Sequence, residues 1–214
     1  MTFEATRLST HRLTLRAAWP QAAAIFVAFA LTITVSAHAS PATVEKCEQC
    51  HGVDGMGHGN PMIPVIAGMP AEHIEEAIYA YVDGARSCTR VPFMCEVVAE
   101  LSEDDIVELS EYFAAKVRGP SLEEFDAGLA AEGEALHEEH CSNCHVPPDD
   151  EDVASAIGIP LHGQRSEYLR YAIESYFSGD RESLLATMAN RILLLEPGDL
   201  GALVHYYSSY RAAE

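Results

Sequence analysis

Two short segments of the chain carry the same pattern of cysteine and histidine. Positions 47–51 read CEQCH, and positions 141–145 read CSNCH. This pattern is the attachment signature of c-type haem, in which two thiols form thioethers with the macrocycle and the histidine ligates the iron. Two copies therefore predict two covalently bound haem c groups and a role in electron transfer. The predicted cofactor-binding residues are Cys47, Cys50, His51, Cys141, Cys144 and His145.

The first 39 residues have the features of a secretory signal peptide. Three arginines precede an apolar run at 22–35, and Ala37-His38-Ala39 is a small-x-small cleavage site. The run is shorter than the roughly 20 residues of a membrane helix. We therefore expect cleavage after Ala39 rather than a retained anchor, with no stable membrane span afterwards. Export suits haem attachment and an oxidising compartment, which predicts the periplasm.

The chain is strongly acidic. It has 214 residues and a formal net charge of −20. Removal of residues 1–39, which hold Glu4 and three arginines, leaves a charge of −22. Such a surface disfavours nucleic acid and anionic membranes as partners. It favours a redox partner protein that docks through a basic face, although the charge could equally serve solubility or a salty habitat.

The two halves of the chain are related by an internal repeat. The motif cysteines Cys47 and Cys141 are 94 positions apart, and the offset is 94 or 95 along the rest of both halves. The pairs at these offsets include Ile74 with Leu169, Tyr81 with Tyr176, Arg86 with Arg181, Met94 with Met188 and Leu101 with Leu195. These matches predict duplication of one small haem domain.

The predicted fold is all-α, with domains at 40–118 and 119–214 after the signal peptide at 1–39. Gly119-Pro120 interrupts the helical pattern at the boundary. Ser121 with Glu124 resembles a capping box that opens the next helix. Ser102 with Asp105 predicts a second cap, ahead of an apolar face at 106, 109 and 113.

Methionine is the expected second axial ligand, because its sulfur opposite histidine raises the reduction potential and blocks small-ligand chemistry. His145 and Met188 are 43 residues apart, and so are His51 and Met94. This register selects Met94 and Met188, although methionine more often fills gaps in a core. Met56, Met62 and Met69 are then expected to be loop or pocket residues.

The sequence also suggests roles for other residues near the two motifs, on weaker grounds. The carbonyl of Pro64 is a candidate acceptor for the Nδ1–H of the ligand histidine, which would orient the ring. Pro160 is the second-half candidate, and a plain turn proline is an equal alternative for each. His137 and His140, on a charged helix before Cys141, are expected to be exposed to solvent.

Cys88 and Cys95 have no cysteine counterparts in the second half. They flank the loop that delivers Met94. In an oxidising compartment a disulfide that stiffens this loop is the simplest interpretation. A Cys95 thiolate bound to iron and a pair of free buried thiols are the alternatives.

Together these residues resemble the dihaem class I cytochromes c, specifically the cytochrome c4 family and the cytochrome subunit of flavocytochrome c sulfide dehydrogenase. The resemblance covers essentially the whole mature chain. Its residues are both haem motifs, the LHGQ segment at 161–164 followed by Tyr168-Leu169, the stretch 94–105 and the tail at 203–207. It implies two tandem cytochrome c-like domains related by a pseudo-twofold, with haems near their interface.

The resemblance also implies the ligand pairs His51/Met94 and His145/Met188. The family's Gly-Gln element is Gly163-Gln164 in the second half but Gly68-Met69 in the first. Cys88 and Cys95 lie outside the usual pattern.

Three functions follow from the resemblance. The favoured one is the cytochrome subunit of a sulfide dehydrogenase, taking electrons from a flavoprotein subunit. The alternative is a free cytochrome c4-type carrier between a quinol-oxidising complex and a terminal oxidase. A dihaem enzyme such as a peroxidase or a thiosulfate dehydrogenase is disfavoured, because the duplicated methionines would fill the open iron position. The chain itself is therefore expected to transfer electrons and not to be an enzyme.

Overall fold

Helices make up the regular structure of the part of the chain that the computed structural model describes, residues 41–183 and 185–211. The described residues all lie within one compact unit, residues 37–214. No strand occurs among them, which agrees with the predicted all-α fold. The predicted signal peptide, residues 1–39, lies outside the described residues.

The eight described α-helices are α1 (Pro41–His51), α2 (Ala71–Val82), α3 (Pro92–Val98), α4 (Glu103–Ala114), α5 (Ala127–His140), α6 (Ser166–Ser178), α7 (Ala186–Ile192) and α8 (Asp199–Ser208). A short 3-10 helix spans Val153–Ser155. Each half has four α-helices, of which the third has seven residues and the others are longer, as the repeat predicts.

The start of α4 follows the local sequence. The Ser102 hydroxyl accepts a hydrogen bond from the Asp105 backbone N–H at 3.2 Å. The Asp105 carboxylate accepts one from the Ser102 N–H at 3.1 Å. These reciprocal bonds form the predicted capping box and satisfy two backbone donors of the first turn. The apolar face behind them is buried at Ile106, Leu109 and Phe113.

The start of α5 differs from the sequence prediction. The helix begins at Ala127, and the Asp126 carboxylate caps it by accepting from the N–H groups of Gly128 and Leu129. The predicted capping box of Ser121 with Glu124 is therefore wrong. The nearby Glu123 carboxylate instead accepts from the Ser166 N–H at 2.7 Å, so this acidic segment satisfies the first turn of α6.

Each half has its own apolar cluster. The first consists of Met69, Ile74, Leu109 and Phe113. The second consists of Leu169, Leu203, Val204 and Tyr207. Ile74 is equivalent to Leu169 at offset 95, and Leu109 and Phe113 to Leu203 and Tyr207 at offset 94. The duplication therefore extends from the sequence to the residues that fill both cores, and the chain forms two tandem haem domains of the same kind.

Close helix packing in the second half depends on one glycine. A Cβ at Gly133 of α5 would lie 2.1 Å from the carbonyl oxygen of Ala202 in α8. A distance below 3.0 Å is not compatible with a side chain at this point. Because Gly133 has no side chain, the backbones of α5 and α8 can pack in direct contact at this point.

The two halves meet at residues that the repeat makes equivalent. Arg86 and Arg181 form an isolated antiparallel bridge. The Ser87 N–H donates to the Asp180 carbonyl at 2.6 Å, and the Glu182 N–H donates to the Ala85 carbonyl at 2.8 Å. Exchanging the halves at offset 95 interchanges these two bonds. Local twofold pseudosymmetry therefore relates the two halves at this bridge.

Candidate functional site

The first cysteine–histidine motif lies in the last turns of α1. His51 is buried, and its ring is 6.5 Å from that of Phe113. Its Nδ1 lies 3.1 Å from the Pro64 carbonyl oxygen. Since a carbonyl can only accept, Nδ1 carries the proton and Nε2 keeps its lone pair for a metal. The Pro64 prediction is confirmed.

The second motif begins directly after α5. His145 Nδ1 lies 2.8 Å from the Ile159 carbonyl oxygen. The predicted acceptor Pro160 is wrong, and its carbonyl instead accepts from Arg118 Nη1 at 3.2 Å. The physical reason is the one-residue insertion before Gly163, which places the equivalent of Pro64 at position 159.

The two motif histidines share an electrostatic environment. Burial lowers the pKa of His51, against a smaller opposing effect of its bond to Pro64. Burial also lowers the pKa of His145. A Cβ at Gly158 would lie 2.6 Å from His145 Nδ1, so glycine is needed where the backbone passes this ring. Both rings are held neutral and oriented, which is the state that binds a metal.

None of the four motif cysteines forms a disulfide. Burial, with the neighbouring Cys50 and Glu48 adding to it, raises the pKa of Cys47 to about 11. Burial likewise raises the pKa of Cys141. Among the described residues no group of three or more Cys, His, Asp or Glu forms a metal cluster. Paired unlinked thiols beside an oriented histidine fit covalent attachment of a haem rather than a thiolate metal centre.

The two predicted methionine ligands occupy the same place in equivalent helices. Met94 is the third residue of α3, and Met188 is the third residue of α7. Both helices have seven residues, and both sulfur-bearing side chains are half-buried. No hydrogen bond or ring contact of the described residues joins either methionine to its histidine, and the ligand assignments stay predictions.

Large apolar side chains beside these methionines are open to solvent. Phe93 precedes Met94 and is 75% exposed, and Leu193 follows α7 and is 73% exposed. Each methionine helix therefore has a large apolar side chain at the surface beside it.

Cys88 and Cys95 are joined by a disulfide in the structure. The bond links the loop before α3 to the helix itself, and Met94 lies inside the closed loop. The equivalent positions in the second half hold Ser183 and Ala189. The two methionine helices thus differ in one covalent restraint.

Sequence reasoning missed a buried polar cluster behind the second motif. His137 is buried, so the prediction that it faces solvent is wrong. Its Nδ1 lies 3.0 Å from the Tyr207 hydroxyl, and its ring packs 5.0 Å from that of His162. Gly133, His137 and Cys141 are spaced four apart and share a helix face. This spacing was the available signal, since Gly133 marks the buried side of α5.

Several polar side chains form hydrogen bonds between the two halves. Gln164 Oε1 accepts from the Val65 N–H at 2.7 Å, and its Nε2 donates to the Val65 carbonyl at 2.9 Å. Arg118 Nε donates to the Ala67 carbonyl, and Arg118 Nη1 donates to the His162 carbonyl, both at 3.0 Å. Burial lowers the pKa of Arg118 to about 10, so the guanidinium remains charged at neutral pH. These contacts hold both motifs in one unit.

Comparisons with known proteins agree with this geometry, although no protein-family model matches the chain. The thiosulfate dehydrogenase electron acceptor of Thiomonas intermedia is 27% identical over 172 residues, which are 72% of this chain and 75% of that protein. Cytochrome c-554(548) of Halomonas halodenitrificans is 33% identical over 73 residues, 34% of this chain and 87% of that protein.

The fold also matches a solved structure. Crystalline reduced cytochrome c4 from Pseudomonas stutzeri superposes with a TM-score of 0.65 at 24% identity. The match covers 81% of this chain and 99% of that one. The likeness in structure therefore extends over both halves.

Proposed function

Because the chain belongs to the dihaem class I cytochromes c of the cytochrome c4 family, we propose that it accepts electrons from a dehydrogenase of reduced sulfur compounds. It carries two covalently bound haem c groups and transfers electrons rather than catalysing a reaction. The observation that supports the finer proposal is the similarity to a thiosulfate dehydrogenase electron acceptor over 72% of the chain. Thiosulfate is therefore the favoured substrate of the donor enzyme.

We propose that His51 with Met94 and His145 with Met188 ligate the two irons. When bound, haem iron supplies reversible one-electron chemistry. The Nδ1–H bonds to Pro64 and Ile159 orient the histidine rings and favour neutral Nε2. The matched places of the methionines in α3 and α7 support the second ligand of each pair.

The thioether bonds are assigned to the four free motif cysteines. Cys47 and Cys50 would attach the first haem, and Cys141 and Cys144 the second. The raised pKa of Cys47 and of Cys141 keeps these thiols protonated until attachment. No disulfide competes for them in the described structure, because the bonded pair is Cys88 with Cys95.

Domain limits and compartment complete the proposal. We place the first domain at 40–118 and the second at 119–214, with export to the periplasm by the segment at 1–39. Gly119-Pro120 separates α4 from α5, which supports the boundary. Among the described helices none has the length and apolarity to cross a membrane.

The partner is proposed to dock through a basic face. The mature chain has a charge of −22, and its acidic side chains would steer a positively charged surface. The exposed Phe93 and Leu193 beside the methionine helices offer apolar contacts to a partner. A transient redox interface typically combines charged groups at its rim with apolar contacts at its centre, and this chain has groups of both kinds.

The experiment is reduction of the oxidised dihaem chain by purified dehydrogenases at low and high salt. A thiosulfate dehydrogenase with thiosulfate should reduce both haems rapidly, and the rate should fall as salt increases. A flavoprotein sulfide dehydrogenase with sulfide tests the alternative donor. Rapid reduction only by a quinol-oxidising complex would instead identify a carrier to a terminal oxidase and reject the proposal.

The ligand assignments need a separate measurement. The oxidised protein should show the methionine–haem charge-transfer band for both sites, and Met94→Ala or Met188→Ala should each remove half of it. A variant of Met62, which lies in the first-half loop, serves as the control. Retention of the full band in either ligand variant would contradict that assignment.

A further inference from the structure

A buried hydroxyl beside the second haem motif has no counterpart in the first. Tyr207 is buried, and the equivalent position at offset 94 is Phe113, which has no hydroxyl. The Tyr207 hydroxyl lies near the sulfur of Cys141, since each group is among the causes that shift the pKa of the other. The first motif, with Phe113 behind Cys47, has no hydroxyl in this place.

His137 determines how the Tyr207 hydroxyl is used. Its Nδ1 lies 3.0 Å from the Tyr207 oxygen, and both side chains are buried. Burial raises the pKa of Tyr207 well above the ordinary value, so the phenol keeps its proton. The phenol therefore has one proton to donate, and either His137 or Cys141 can receive it.

Attachment of the haem at Cys141 determines whether the Tyr207 hydroxyl donates to His137 or to the Cys141 sulfur. A thioether sulfur carries no proton and can only accept, whereas neutral His137 can donate from Nδ1. The order His137 Nδ1–H to Tyr207 Oη, then Tyr207 O–H to Cys141 Sγ, satisfies all three atoms. In a buried chain of this kind each hydrogen bond also polarises the next.

We propose that Tyr207 is a potential-tuning residue of the second haem, donating to the Cys141 sulfur while His137 holds its hydroxyl in that orientation. This inference rests on the proposed haem attachment at Cys141. A donor to an atom bonded to the macrocycle withdraws electron density and favours the reduced state, as hydrogen bonding around redox centres does generally. The second haem therefore holds its electron more tightly because of Tyr207.

The neighbouring Tyr206 provides a matched control. Its hydroxyl lies 3.2 Å from His162 Nε2, and its ring packs 5.2 Å from that of His137. Tyr206 thus belongs to the same cluster, but its hydroxyl is hydrogen-bonded to His162 and not placed beside Cys141. Tyr207→Phe and Tyr206→Phe remove the same atom from adjacent residues with opposite expectations.

The test is a redox titration of the full dihaem chain, with the two haems resolved by the NMR signals of their methyl groups. Tyr207→Phe should weaken electron binding at the second haem by roughly threefold to tenfold, where tenfold is 59 mV for one electron. The first haem should not change. Tyr206→Phe should leave both potentials unchanged.

Two variants of His137 distinguish its role in orienting the Tyr207 hydroxyl from its role in packing. His137→Leu should shift the second haem as Tyr207→Phe does, His137→Asn should restore the potential in part because its amide can donate, and the double variant should add nothing. Resonance Raman lines of the thioether C–S bonds should shift in Tyr207→Phe and His137→Leu but not in Tyr206→Phe.

Equal shifts in the two tyrosine variants, or no shift in Tyr207→Phe, would overturn the tuning role. Haem content distinguishes this result from failure of the proposed function. Two covalent haems with unchanged potentials reject only the tuning role. An unmodified chain without haem at Cys141 rejects both.

Discussion

Gln164 in the second half holds the backbone of Val65 in the first half by two hydrogen bonds. The side-chain amide accepts from the Val65 N–H at 2.7 Å and donates to its carbonyl at 2.9 Å. The repeat makes Met69 equivalent to Gln164 and Pro160 equivalent to Val65. Because proline has no N–H, a glutamine at position 69 could not form the reciprocal pair. This explains why the Gly-Gln element is intact in only one half.

Replacement of Gln164 by methionine, the residue of the first half, should destabilise the contact between the halves. It leaves the buried Val65 N–H without its side-chain partner, which costs about 1–3 kcal/mol. Urea unfolding of the dihaem protein measures the loss. Gln49→Met makes the same chemical change at an exposed residue and should stay within about 0.5 kcal/mol. Equal effects of the two substitutions would show that the Val65 contact is not the cause.

Substitution of Gly133 by alanine should separate α5 from α8. The new Cβ would lie 2.1 Å from the Ala202 carbonyl oxygen, and backbone cannot yield as a flexible side chain does. We expect a loss of about 2–3 kcal/mol in unfolding free energy, the cost of an overpacked contact. Thermal or urea unfolding monitored by circular dichroism checks it.

Gly201 in α8 is the control for this substitution. A Cβ there meets nothing within 4 Å. Gly201→Ala should therefore be neutral or stabilise the protein by about 0.5–1 kcal/mol, because alanine has less chain entropy to lose in a helix. Destabilisation by both variants would mean that α8 itself, and not its contact with α5, is sensitive.

Local and periodic signals were sufficient for much of this structure. The Ser102 cap predicted α4 with its apolar face, and the repeat predicted that Met94 and Met188 are equivalent. The sequence placed Met94 on a loop, whereas the structure places both methionines in seven-residue helices. Contacts between residues that are far apart in the sequence could not be predicted from local patterns. The His145 acceptor is Ile159, the equivalent of Pro64 at offset 95, and not the proline that follows it. His137 looked exposed because its partner Tyr207 lies 70 positions later.

Removal of the disulfide should weaken the first methionine loop alone. Cys88→Ser with Cys95→Ala gives that loop the residues of its second-half equivalent, Ser183 and Ala189. For a sequence separation of 7 the chain-entropy model gives about 2 kcal/mol of lost stability. The restraint on Met94 is lost as well, so its iron bond should break at a lower urea concentration.

The charge-transfer band and haem methyl signals, followed against urea, measure both ligand losses in one sample. The second haem, whose loop has no disulfide, is the internal control and should keep its midpoint. Unchanged release of Met94 in the double variant, or an equal shift at both haems, would show that the disulfide does not support the ligand.

Acid should destabilise the protein through His162. Burial, with nearby His137 adding to it, lowers the pKa of His162 to about 4. The unfolded chain takes up a proton near pH 6.5, so it binds more protons than the folded chain between about pH 6.5 and 4. Unfolding free energy should therefore fall by about 1.4 kcal/mol per pH unit across that window from this residue, and this contribution should level off below it.

His162→Ala, which introduces the residue of the equivalent position 67, isolates this effect. The variant should be less stable at neutral pH because it leaves a cavity, yet it should lose less stability on acidification. Urea unfolding at several pH values measures both quantities. An undiminished slope in His162→Ala would assign the acid sensitivity to another buried group, with His137 the next candidate, because burial lowers its pKa too.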